Sequence, residues 1–157
     1  MQTRQLGKTD LHLSVIGLGA WAIGGGGWKF SWGAQDDDDS IATIRRAVEL
    51  GVNWIDTAPV YGTGHSEEVL GKALKGMSTR PIVATKCGRR WDDSRTPFAR
   101  IKRQSVLDEV DDSLRRLGVE CIDLYQMHWP QPDEDIEEGW SAMADAVKAG
   151  KLRHIGV

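Results

Sequence analysis

Cysteine is scarce in this sequence: Cys87 and Cys121 are its only two among 157 residues. One pair with no secretory context cannot be the framework of a disulfide-stapled fold, and both read as reduced thiols in buried strands. No apolar run approaches the ~18 residues of a membrane-spanning helix. The opening Met-Gln-Thr-Arg-Gln-Leu-Gly lacks the apolar core of a secretory signal. A cytoplasmic protein is therefore expected, with no membrane partner. Basic excess is lacking too. Lys and Arg number 20 against 23 Asp and Glu, a net charge of −3, which argues against a non-specific nucleic-acid binder. What is present is globular: 40% hydrophobic and 27% charged residues, in a length that suits one domain over residues 1–157.

Short apolar runs recur at βα-unit spacing. They are Val15–Gly19, Asn53–Asp56, Pro81–Lys86, Ile122–His128 and Arg153–Val157. The runs are near-continuous rather than alternating, as in parallel strands buried on both faces. Helical patterns lie between them. Ile41, Ile44 and Val48 share a face, with Asp39 or Ser40 as cap and Gly51 as stop. Ser66 is the expected cap of a second helix carrying Val69, Leu70, Ala73 and Leu74. Val106, Val110, Leu114 and Leu117 mark a third, stopped by Gly118. Trp140, Met143, Ala144 and Val147 mark a fourth, stopped by Gly150. Ahead of the first run, Thr3–Leu6 and Leu11–Leu13 flank Gly7-Lys8-Thr9-Asp10, which predicts a β-hairpin capping residues 1–14.

Five strands and four helices of this kind fit two architectures. One is a doubly wound open sheet. The other is the first half of a (β/α)8 TIM barrel, which usually takes about 250 residues. The sequence ends inside the fifth run, where an open sheet would normally add a covering helix, so the half-barrel is the expectation.

Four polar residues stand out by position. Asp56, Lys86 and His128 end successive strands, and Tyr61 follows on the loop after the second. In parallel α/β folds the C-terminal strand ends form the active face. Each residue alone has an ordinary structural reading: Asp56 a turn cap, Tyr61 packing, Lys86 solvation, His128 a satisfied core group. Together they make a catalytic set. An ammonium beside a phenol favours phenolate and lowers its pKa. A carboxylate fixes the lysine, and a histidine holds a carbonyl oxygen against the phenol. Such a set protonates a developing oxyanion, while the hydride must come from a cofactor.

Seven stretches in order resemble the aldo-keto reductase family: Ile16–Trp21, Trp54–Gly62, Gly64–Glu67, Ala84–Lys86, Ser113–Gly118, Asp123–Pro130 and Gly150–Val157. The resemblance implies a (β/α)8 barrel closed at its bottom by the hairpin. It implies a catalytic tetrad of Asp56, Tyr61, Lys86 and His128, with Tyr61 as proton donor. It implies reduction of aldehydes or ketones to alcohols with NADPH, NADH not being excluded. Gly19, Ala20, Trp21 and Asp56 would lie at the nicotinamide end. Trp28, Trp32, Trp91 and Trp129, with His128, are the expected substrate walls, whereas Trp54 and Trp140 fit the core by periodicity.

Family members run on for about as many residues again. The later parts that hold the nicotinamide amide and the adenosine phosphate fall outside these 157 residues, so activity of the chain alone is left open. The alternative class is a non-catalytic half-barrel that self-associates through its open edge. No metal is expected: Asp36–Asp39 lack the spacers of a calcium loop, and Gly24–Gly27 lack the ending of a P-loop.

Overall fold

The computed structural model describes residues 1–157. Strands β1 (Thr3–Gln5) and β2 (His12–Ser14) form the expected antiparallel hairpin. Then come β3 (Leu18–Gly19), a 3-10 turn (Ala22–Gly24), α1 (Asp37–Glu49), β4 (Trp54–Asp56), α2 (His65–Leu74) and β5 (Ile82–Cys87). A second hairpin follows, of β6 (Arg89–Trp91) and β7 (Pro97–Ala99). The chain continues through α3 (Arg103–Leu117), β8 (Ile122–Met127), α4 (Ile136–Lys148) and β9 (Leu152–Gly156).

The five parallel strands are ordered β3-β4-β5-β8-β9, which is their order in the chain. That separates the two architectures. A doubly wound sheet reverses its strand order once, because its helices cover both faces. Right-handed crossovers that always step the same way put every helix on one face. This sheet has no reversal, so it is an arc of a barrel wall with α1 to α4 outside. The first hairpin lies under the arc. Asn53 accepts from the Ser14 N–H and donates to the His12 carbonyl, both at 2.8 Å. Asp10, beside the hairpin turn, pairs with Arg153 at 2.8 Å and with His154 at 2.6 Å on the far strand β9. One small hairpin reaches both strands because the sheet curls round it.

The core fills the space between wall and helices. Ile44, Ile55, Leu70, Val83, Val110 and Ile122 are fully buried there, each large aliphatic contributing roughly 1.5–3 kcal/mol relative to exposure. Helix α3 stops at Gly118, whose φ of 66° is left-handed and whose N–H closes on the Leu114 carbonyl. No helix is long and apolar enough to cross a membrane.

Four local expectations are corrected. The cap of α1 is Asp36, not Asp39 or Ser40, because its carboxylate accepts the N–H groups of Asp38 and Asp39. The remaining aspartates then form the first turn, at the positive end of the helix dipole. Ser66 does not cap α2 but sits inside it, fully buried. Trp140 is 41% exposed: α4 buries Gly139, Ala142, Met143 and Ala146, a face turned one residue away from the predicted one. Of the first apolar run, only Leu18 and Gly19 pair, and Val15 and Ile16 are exposed.

Candidate active site

Strand alternation places three of the four polar residues. Successive side chains on a strand face opposite ways. Asp56 pairs across the sheet with Ala84, and Lys86 lies two residues past Ala84 on the same face. Lys86 pairs with Gln126, and His128 lies two past Gln126. All three therefore rise from the inner face at the C-terminal rim. The intervening Val83, Thr85 and Cys87 turn outward and are buried beneath the helices.

Tyr61 arrives from the loop after β4. Its position depends on two glycines packed face to face. Gly62 has φ 67°, and a Cβ there would stand 2.0 Å from the Gly24 carbonyl oxygen. A Cβ on Gly24 would in turn meet the Gly62 nitrogen at 2.7 Å. Only this pair lets the Tyr61 peptide settle on the Ala22–Gly24 turn. Ser66 ties the surrounding strand ends together. Its hydroxyl donates to the Ala20 carbonyl and shares a hydrogen bond with Thr57, both at 2.9 Å.

Lys86 is the hub. Its ammonium donates to both oxygens of Asp56 at 2.8 and 2.9 Å, to the Thr57 carbonyl at 2.8 Å and to the Tyr61 hydroxyl oxygen at 3.4 Å. Three ammonium protons are thus aimed at three partners. Because the lysine donates to the phenol oxygen, the phenol's own proton is free to point elsewhere.

The expected lowering of the Tyr61 pKa is overturned. Burial pushes it up to about 12, and the Asp56 charge adds to that rise. The lysine's charge is largely neutralised by the carboxylate it holds, so desolvation of the phenolate dominates. Tyr61 is a protonated donor throughout the neutral range. His128 goes the other way: burial, then the charges of Lys86 and Arg89, take it down to about 4. Its ring is neutral near pH 7 and lies edge-on to Tyr61, centroids 5.8 Å apart. Its buried Nδ1 has no hydrogen-bond partner.

The predicted walls divide. Trp28 and Trp129 line a cavity of about 150 Å³ together with Trp21, Tyr61 and His128. Trp21 stacks on Tyr61 at 5.6 Å with planes 10° apart. Trp32 is 74% exposed and stacks on Trp21, ring centroids 6.2 Å apart. Trp91 does not join them. It faces a separate groove with Phe98 and Arg100, because the β6–β7 hairpin turns it away. Of the residues expected at a cofactor, Gly19 and Trp21 are exposed, while Ala20 is buried with its N–H and carbonyl already paired. Trp54 is half-buried below the site, its indole N–H on the Ser14 carbonyl at 3.0 Å.

Sequence reasoning missed Phe30, Val60, Pro97 and Arg89, which complete the cavity. The signal for the last two was the turn-rich Asp92-Asp93-Ser94 between short flanks.

A buried carboxylate supports the rim from behind. Glu109 accepts the Gly88 N–H at 3.2 and 3.1 Å, just past Lys86 and Cys87. Burial pushes its pKa up to about 7 from the ordinary 4.5. A raised value means that the protonated form is favoured in the fold. Its contribution is full below about pH 4.5 and is lost as pH rises through about 7. Stability is expected to fall by about 3 kcal/mol from mildly acidic to mildly alkaline pH. Urea unfolding along that range checks this. Glu109→Gln is expected to flatten the decline, and an unchanged decline would assign it to another group.

The match that decides the family covers residues 15–157, which fit the model of the aldo/keto reductase family. The chain belongs to the aldo/keto reductase family. Aldo-keto reductase YhdN of Bacillus subtilis (strain 168) is 45% identical over 159 residues, spanning 100% of this chain and 46% of its own length. The NADH-specific methylglyoxal reductase of Escherichia coli (strain K12) is 39% identical over 170 residues, spanning 99% of this chain and 51% of its own. Among solved structures, the glycerol dehydrogenase of Gluconobacter oxydans superposes with a TM-score of 0.87 at 44% identity, covering 99% of this chain and 48% of that one. The chain thus spans about half the length of the aldo/keto reductases it matches, and its sheet is part of their (β/α)8 barrel.

Proposed function

We propose that this chain carries the catalytic rim of a carbonyl reductase that turns aldehydes or ketones into alcohols, using NADPH or, in its place, NADH. The observation that carries the reading is the Lys86 hub, which holds Asp56 and Tyr61 in one hydrogen-bonded unit. Family membership supports the same chemistry.

The residues present fit the reactive end of a nicotinamide. Gly19 is exposed, and a Cβ built on it would meet nothing within 4 Å. Beside it Trp21 offers a flat, exposed ring next to Tyr61. When bound there, the reduced nicotinamide supplies the hydride that the polypeptide lacks.

Every other part of the step belongs to the chain. The substrate carbonyl lies in the cavity with its oxygen toward Tyr61 and His128. As that oxygen gains charge, the Tyr61 hydroxyl donates its proton to it. The phenolate left behind faces the Lys86 ammonium, which stabilises it. Asp56 and the Thr57 carbonyl keep that ammonium in place. Neutral His128 orients the oxygen without competing for its proton. Trp21, Trp28 and Trp129 give the cavity an apolar wall beside the reacting centre.

Titrating the seven-tryptophan chain with NADPH and with NADH tests the reading. Saturable quenching by at least one of the two cofactors is expected. No quenching by either cofactor would remove the reading from these 157 residues.

A further inference from the structure

Arg89 is the charged member of an otherwise aromatic and aliphatic wall. It lines the same cavity as Tyr61 and His128. Its guanidinium lies over the Trp129 ring, 4.1 Å from the centroid, a cation–π seat that holds the side chain while leaving N–H edges free. The neighbouring Arg90 pairs with Asp112, and Lys86 pairs with Asp56. Arg89 pairs with no carboxylate, and burial alone acts on its pKa, lowering it. Around it the site is balanced: Lys86 and Asp56 cancel, and His128 is neutral. The cavity wall therefore carries one uncompensated positive charge.

A partly desolvated guanidinium seeks a planar anion that accepts two parallel hydrogen bonds. We propose that Arg89 selects carbonyl substrates that carry a carboxylate. The aldehyde or ketone end meets Tyr61, and the carboxylate meets Arg89. The cavity of about 150 Å³ admits a molecule about the size of benzene, so short oxo acids of a few carbons are the matching class. This rests on the reductase reading for the carbonyl end, and on Arg89 alone for the anion.

Two experiments test it separately. The first needs no turnover: the tryptophan fluorescence of the chain is titrated with butanoate, butanamide and ethyl phosphate. Butanoate is expected to quench saturably, at least tenfold more tightly than butanamide and more tightly than ethyl phosphate. Arg89→Leu is expected to erase the preference for butanoate, and Arg89→Lys to keep part of it. Equal binding of butanoate and butanamide would overturn the proposal, and tighter binding of ethyl phosphate would replace carboxylate by phosphate. The second compares kcat/KM of the protein on a four-carbon oxo acid and on its neutral amide. Arg89→Leu is expected to cost the acid about a hundredfold and the amide under threefold. An equal loss on both would make Arg89 a packing residue and overturn the proposal. If neither substrate is reduced while butanoate still binds preferentially, the reductase reading fails and the anion site stands.

Discussion

Tyr61→Phe is expected to lower carbonyl reduction by about a thousandfold while nicotinamide binding changes by less than about threefold. The substitution removes one oxygen and keeps the ring, so Trp21 retains its stacking partner 5.6 Å away. The lost oxygen is the one Lys86 reaches at 3.4 Å. A positioned acid supplies typically ~10²–10⁴ in rate, and the upper part of that range suits a phenol backed by an ammonium. A thousandfold loss corresponds to about 4 kcal/mol of transition-state stabilisation. With Tyr61 near 12 and His128 near 4, neither residue changes protonation across the neutral range. The rate that depends on them is expected to run level there. Single-turnover reduction of an aldehyde by wild type and variant, followed by loss of reduced nicotinamide, is the measurement. Retention of more than about a tenth of the rate would remove Tyr61 from the role of acid.

Glu67→Ala is expected to destabilise the fold by about 3–5 kcal/mol. Glu67 is fully buried in α2. One of its oxygens accepts from the Thr85 hydroxyl at 2.6 Å, and the other from Arg116 of α3 at 2.7 Å. The Arg116 side chain is itself only 9% exposed. Removing the carboxylate leaves a desolvated guanidinium with no countercharge, the costly way to break a buried pair. Removing both charges is much cheaper, so Glu67→Leu combined with Arg116→Met is expected to recover most of the loss. Against a typical total of about 5–15 kcal/mol, the single change is severe. Urea unfolding of the three proteins decides it, and a single-variant loss below about 1 kcal/mol would mean the pair contributes little. The network also touches the rim: Thr85 adjoins Lys86, and Gly64, at the start of α2, packs on the Arg116 stem. Loss of stability is therefore expected to bring loss of turnover with it.

Much of this was readable because strands and helices repeat. Near-continuous apolar runs gave β4, β5, β8 and β9 to within a residue or two, and the glycine after Leu117 gave the end of α3. Asp56, Lys86 and His128 were legible as polar residues interrupting buried strands at one end. The barrel wall was not legible from the order of elements alone, since an open sheet has the same order. The sequential strand order and the hairpin's two attachments settle it. The acidity of Tyr61 was misjudged because it is a balance. The lysine was visible in the sequence, but the burial and the neutralising carboxylate that outweigh it depend on distances. Trp91 and Arg89 exchanged places for a similar reason. Residue type says which side chains could line a pocket, while the turn of a three-residue strand decides which do. Trp140 shows the limit of periodicity, since α4 packs through small residues that let Gly139 approach the Ile101 carbonyl.

The contact between Asp10 and Arg153 joins residues 143 apart in the chain. Closing so long a loop costs entropy before any contact rewards it. The hairpin pairs on its own local register, yet its docking onto β9 waits until that strand has been made and has joined the sheet. During synthesis on a ribosome, the hairpin's residues thus emerge well before the strand that fastens them.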